Sequence, residues 1–147
     1  RGLSAGCVKD LLRILCIGKS VEFLVVLHLM QILTQPYHCS LAELLFGRRD
    51  SKGRLSLGHV ARSVSPATSY KAHEDLAALD AYEKGADTKD GWALEYYFID
   101  VFSVNQNDCM GESELGDLKS VIVGARSTVL IFSPWHDPEV LKRVWCL

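Results

Sequence analysis

The sequence predicts an α/β protein: a parallel sheet flanked by helices, preceded by an α-helical stretch. Three observations carry this. Residues 5 to 47 show apolar residues at helical spacing. From about residue 58 the pattern changes to short β-branched and aromatic runs alternating with helical ones, in the order β-α-β-α-β-α. Between the two lies Arg48 to Gly58, RRDSKGRLSLG, whose charge and glycine content reads as a linker. The expected organisation is therefore a helical extension with its linker over 1–57 and a sheet domain over 58–147.

Within the first stretch, Val8, Leu11, Leu12, Ile14 and Leu15 alternate with Lys9, Asp10 and Arg13 as on an amphipathic helix. Gly18 breaks the run, and Ser20 offers an N-cap for a second helix over Val21 to Leu33. That second run is the most apolar of the chain, yet it is shorter than the roughly 18 residues a membrane span needs. Lys19 and Glu22 flank its start, so a buried helix is expected, with His28 as a core histidine. Gln35-Pro36 ends it, because the residue before proline is pushed out of the helical region. Ser40 caps a third short helix, LAELLFG, closed by Gly47.

In the second stretch, His59 to Ser65 reads as a short strand and Ser65 to Ser69 as a loop. Tyr70 to Tyr82 is helical, with Leu76, Leu79 and Tyr82 on one side. Lys84 to Gly91 is a polar turn. Tyr96 to Val104, YYFIDVFSV, has the composition of a buried strand. Asn105 to Gly111 is a loop, Glu112 to Ala125 a helix, and Thr128 to Ser133 a second buried strand, expected beside the first. Pro134 to Pro138 forms a rigid turn, after which Asp137 and Pro138 open a last helix.

Composition narrows the function. The chain has 147 residues, 48% of them apolar and 23% charged, with a net charge of -2. That is an ordinary globular balance without the basic footprint of a nucleic-acid binder. Five dispersed cysteines lack any CxxC pair and read as reduced thiols of a cytoplasmic protein. Five dispersed histidines give no metal-ligand spacing, so no metal site is expected. The chain carries no Gly-rich phosphate loop, GxSxG or HExxH motif. It begins with Arg1 and stops within a pattern at Trp145-Cys146-Leu147, which reads as a fragment of a longer protein.

Three segments together carry a family resemblance. Tyr97 to Gln106, with Asp100 followed by Asn105-Gln106, resembles the strand and loop of TIR-like domains of algae, oomycetes and other protists, which read aromatic-Trp-aliphatic-Asp, a bridge, then Asn-Gln. The same segment is similar to the Cys-Ile-Asn-Gln strand of fungal heterokaryon-incompatibility (HET) domains. Thr128 to Leu147 resembles that group's strand, Pro-Trp turn and Arg-x-Trp-Cys-Leu helix. Gly58 to Tyr70 is weakly similar to the first strand and loop, but Ser65-Pro66-Ala67-Thr68-Ser69 lacks the histidine and tryptophan usual there. The resemblance covers about residues 58 to 147 and implies a partial flavodoxin-like sheet, incomplete at its C-terminus.

What this implies for function is signalling or defence by self-association, without nucleic acid, membrane or metal. Many such domains cleave the nicotinamide–ribose bond of NAD, using a carboxylate to steady an oxocarbenium-like ribose. Carried over by motif, that glutamate lies two positions beyond Leu147, so no catalytic residue falls within the chain and NAD is a substrate only of a longer parent. No bound cofactor is implied. The ligand-binding candidates are Ser65, Asp100, Asn105, Gln106, Trp135 and Arg143.

Each has a physical reason and a plainer alternative. Asp100 ends a strand at the sheet's carboxyl edge, where α/β folds bind ligands, and two amides follow it. The plainer role for Asp100 and Asn105 is hydrogen bonding to loop amides. Trp135, between prolines, offers a flat face for a base, or simply packs over the sheet end. Arg143 holds Asp100 or a phosphate, or forms a surface ion pair. Glu112, Glu114, Asp117, Asp137 and Glu139 sit at helix starts, where the dipole explains them. The alternative to the signalling domain is a catalytically dead, degenerate interaction module, favoured by the altered loop after Ser65. A nucleotide-binding flavodoxin-like domain of another kind would need a phosphate site that this sequence does not offer.

Overall fold

A computed structural model describes residues 1–15, 20–65, 71–85, 96–108, 112–132 and 136. Short strand β1 (Gly2–Ser4) leads directly into helix α1 (Ala5–Leu15). Helix α2 (Phe23–Thr34) follows, then a 3₁₀ turn over Gln35–Tyr37 and the short helix α3 (Leu41–Leu44). Strands β2 (Leu57–Gly58) and β3 (Arg62–Ser65) precede helix α4 (Ala72–Gly85). Strand β4 (Tyr96–Ile99) runs into the one-turn helix α5 (Asp100–Ser103), and helix α6 (Glu112–Gly124) leads to β5 (Ser127–Leu130).

The five strands form one sheet in the order β2-β1-β4-β3-β5. Strand β3 pairs in parallel with β4 and with β5. Strand β1 is antiparallel to both β2 and β4, so it alone runs against the other four. The expected mixed α/β class, with a mostly parallel sheet and flanking helices, is present. The stretch expected to be helical, residues 5 to 47, supplies α1, α2 and α3; β1 precedes it, and β2 closes the segment expected to be a linker, so both ends of 1–58 join the sheet. The apolar spacing of a helix gives no warning of a three-residue strand ahead of it.

Two expectations about the strands are corrected. The run Tyr96 to Val104 is not one strand: it ends at Ile99, and Asp100 begins a helical turn. Its composition favours a strand throughout, but the peptide groups from Asp100 onward close a turn on themselves, Val104 N–H reaching the Asp100 carbonyl at 3.0 Å, so local hydrogen bonding overrides the propensity. Nor do β4 and β5 lie side by side. Strand β3 lies between them, and β5 is one of the two edge strands among the described residues, β2 being the other.

Alternation along β4 sets the layers. Tyr97 and Ile99 are buried in the main apolar cluster with Leu3, Val8 and Leu12 of the first stretch, Phe23, Val26 and Met30 of α2, and Val64, Leu79, Val101 and Phe102. Phe98 points to the opposite face. Phe23 and Phe102 meet with ring centroids 6.4 Å apart, tilted at 52°, which fixes α5 against α2. On the α1–α4 side, Lys9 bridges Asp80 and Glu83.

The cap predicted at Ser40 is present: Ser40 Oγ accepts from Glu43 N–H, and the Glu43 carboxylate accepts from Ser40 N–H. At α2 the cap position is Glu22 and no side chain caps it, so Ser20 does not act as expected. His28, expected in the core, is exposed on α2. The helix is apolar on every side, and periodicity cannot tell which face is covered. The segment Arg48 to Gly58 is tightly organised rather than a loose tether. The side chain of Asp50 is fully buried and accepts from Ser4 Oγ at 2.8 Å, Lys52 N–H and Arg54 N–H at 2.9 Å, and Arg54 Nε at 3.1 Å. Gly53 turns this hairpin with φ +76°, where a side chain would be strained.

Candidate functional site

In a parallel sheet the carboxyl ends of neighbouring strands form a rim, and side chains just past those ends share it. Here the register pairs Val64 with Ile99 and Ser65 with Leu130. Asp100 is therefore the next step past the β4 end and Ser65 the matching step on β3. Two of the candidates, one on each of two adjacent strands, reach the same rim. Only the backbone of Ser65 is described. Trp135 and Arg143 lie outside the described residues, as do the loop 66–70 and the helix expected from Glu139 onward.

The amide candidates sit beside Asp100 but face inward. Asp100 Oδ1 accepts from Val101 N–H at 2.8 Å in the first turn of α5. The Gln106 side chain folds back and donates to the Asp100 carbonyl at 2.9 Å and the Val104 carbonyl at 3.1 Å, closing the C-terminal end of α5. Asn105 makes an Asx turn: its Oδ1 accepts from Asn107 N–H at 3.1 Å, and its Nδ2 donates to Asp108 at 2.6 Å. The loop is then tied to α2. Gln31 Nε2 donates to the Gln106 carbonyl at 3.0 Å, and the Asn107 amide lies among the Thr34 hydroxyl, the Gln31 carbonyl and the Gln35 N–H. The Asn-Gln motif thus works as a latch between α2 and α5.

Beside this latch the opposite sheet face opens into a groove of about 840 Å³, a size typical of small-molecule sites. Its floor holds Phe98 and Leu57. Its walls carry Phe46 from beyond α3 and Leu118 and Val121 of α6, and Ser103, Val104 and Asn105 close one end. Of the candidates whose side chains are described, Asn105 lines it and Asp100 and Gln106 do not. The Ser103 hydroxyl is buried without a hydrogen-bond partner among the described residues.

One titratable group escaped the sequence reading. Asp75, in the first turn of α4, is only 2% exposed, and among the described residues neither carboxylate oxygen has a hydrogen-bond partner. Burial, reinforced by the neighbouring Glu74, pushes its carboxyl up to about 7. The signal was available: Asp75 is spaced three and four residues from the buried Ala72 and Leu79, on the apolar side of the helix. By contrast, burial pulls the Asp50 carboxyl upward, but the bonds from Ser4, Arg54 and Lys52 outweigh it and hold the group below its ordinary value. The Cys7 thiol is free and buried, and burial raises it to about 11, which leaves it inert.

Among the described residues no cluster of three His, Cys, Asp or Glu side chains is placed to hold a metal ion. No helix of the described residues is long and apolar enough to cross a membrane. Compared with protein-family models, curated proteins and solved structures, the chain finds no match.

Proposed function

We propose that this chain is a TIR-like signalling domain of the protist type, related to fungal HET domains, which acts by self-association and uses its carboxyl rim as a nucleotide site. The observation that carries the reading is the register of the parallel strands. In chain order β3, β4 and β5 lie second-first-third across the sheet, the arrangement of flavodoxin-like folds. The rim of that arrangement receives Ser65 and Asp100, the positions at which the resemblance expects ligand contacts. NAD is the proposed ligand. Its cleavage would belong to a chain that also supplies the glutamate expected two positions past Leu147.

The second reading, a non-catalytic interaction module, draws on a separate observation. Asn105 and Gln106 spend their amide groups on the loop itself, as a scaffold would require. One pair of measurements divides the readings. Sedimentation of the folded chain over a range of concentrations tests self-association. NAD titration followed by backbone amide shifts, with Asp100→Ala as control, tests the rim. Self-association with saturable NAD binding that Asp100→Ala weakens supports the nucleotide reading. Self-association without NAD binding leaves the interaction module, and a chain that stays monomeric and binds no NAD refutes both.

A further inference from the structure

The groove on the Phe98 face has an unusual distribution of available chemistry. Among the described residues most of its polar lining is already committed: Ser40 and Glu43 to each other in the cap of α3, and Asn105 to Asp108 and the Asn107 amide, with the neutral Ser103 hydroxyl left at one end. The exception with a charge is Arg1. Its guanidinium stacks over the exposed Phe46 ring at 4.6 Å from the centroid, and among the described residues no carboxylate pairs with it. A smaller hollow of about 450 Å³ continues the groove past Arg1, Phe46 and Leu57 toward His59.

These facts select a ligand by exclusion. A sugar, nucleotide or peptide backbone entering the groove would lose water at many polar atoms and find few partners for them among the described residues. An aliphatic chain loses nothing there and covers Phe98, Leu57, Leu118 and Val121. The Arg1 guanidinium then supplies a positive charge with fork geometry, which suits a carboxylate. The Glu43 carboxylate is held to Ser40 at the start of α3, whereas Arg1 lies over Phe46 beyond its end, so the anionic head goes to the Phe46 end. We propose that this groove is a binding site for a medium-chain alkyl carboxylate, its tail between α6 and the Phe98 face and its head on Arg1.

The test titrates the full chain with decanoate, butyrate and decyltrimethylammonium, following amide shifts and heat of binding. Decanoate is expected to bind saturably, with the largest shifts at Val104, Leu118 and Val121 and a negative heat-capacity change. Arg1→Ala should weaken it about tenfold, as loss of a charge-assisted contact does. Val121→Glu and Leu118→Lys, each checked for native circular dichroism, should weaken it by about the same factor or more. Butyrate, lacking the tail, and decyltrimethylammonium, carrying the wrong head, should bind at least about tenfold more weakly. Absence of saturable decanoate binding, equal binding of the cationic amphiphile, or undiminished binding in both folded groove variants would overturn the proposal.

Discussion

Asp75 makes the chain's stability depend on pH in an unusual direction. Its carboxyl is raised from 3.8 to about 7, because burial leaves the ionised form with neither water nor a hydrogen-bond donor. The native state therefore holds a proton that the unfolded chain releases. Such a group contributes fully below the unfolded value, and the contribution is lost as pH rises through the folded one. Three pH units at 1.36 kcal/mol each amount to about 4 kcal/mol lost above neutrality. Set against a total stability on the order of 5–15 kcal/mol, that is a large share.

Asp75→Asn isolates this term. The amide keeps the shape and does not titrate, so the stability difference between variant and parent follows Asp75 alone. Urea unfolding at pH 5 and pH 8 should show the asparagine variant gaining about 2–3 kcal/mol on the parent across that interval. The other charges around α4 are the same in both proteins and cancel: Glu74 on the helix itself, the Lys71–Glu22 pair at its start, and Lys9, Asp10 and Arg13 of α1. A difference that stays constant from pH 5 to pH 8 would refute the claim that Asp75 is buried without a partner.

Three further outcomes are expected. Asp50→Ala leaves the Arg54 guanidinium, the Ser4 hydroxyl and two N–H groups without their common acceptor, and should cost about 3–5 kcal/mol by urea denaturation. Because the Asp50 carboxyl is held low, its share of stability is present above the unfolded value and disappears as pH falls through the folded one, which acid titration of that variant against the parent will reveal. Gly6→Ala places a methyl 2.4 Å from Asp50 Oδ2 and should destabilise by about 1–3 kcal/mol, with the change in thermal midpoint as the measure. Gln106→Ala removes both bonds that close α5 and should cost about 1–2 kcal/mol while speeding amide exchange between Val104 and Asp108.

Much of the helical content was legible in the sequence because each helix carries its own local signals. Ser40 and Glu43 at capping-box spacing announce α3, and the run of Leu76 and Leu79 announces α4. The strands were legible only by type. Val64, Ile99 and Val129 lie in β-rich runs, but nothing local says that β3 separates β4 from β5, since strand order is decided by crossovers and packing across the chain. Strand β1, only Gly2 to Ser4, is too short to show alternation and exists through its pairing with Tyr96 and Tyr97. His28 was misplaced because every face of α2 is apolar, and only tertiary contacts choose among them. Asp100, Asn105 and Gln106 lie together because they are close in sequence, and the bonds seen there are those of the loop itself, whereas Asp75 went unnoticed because acidic residues in a first helical turn are usually solvated and need no explanation.

The two kinds of polar residue near the rim follow one physical distinction. Asn105, Gln106 and Asn107 are partnered, so they lower the free energy of the loop and fix the α2–α5 contact; their worth is structural whatever the rim does. Asp75 is the reverse case, since it raises the free energy of the native state at neutral pH and nothing in its surroundings offsets that. Replacement by leucine or methionine would remove the penalty outright, so the apolar surroundings do not require an acid. The fold therefore explains the amides and leaves Asp75 unexplained. Among the described residues it is the buried carboxylate whose two oxygens have no hydrogen-bond partner, and no contact in the fold accounts for it.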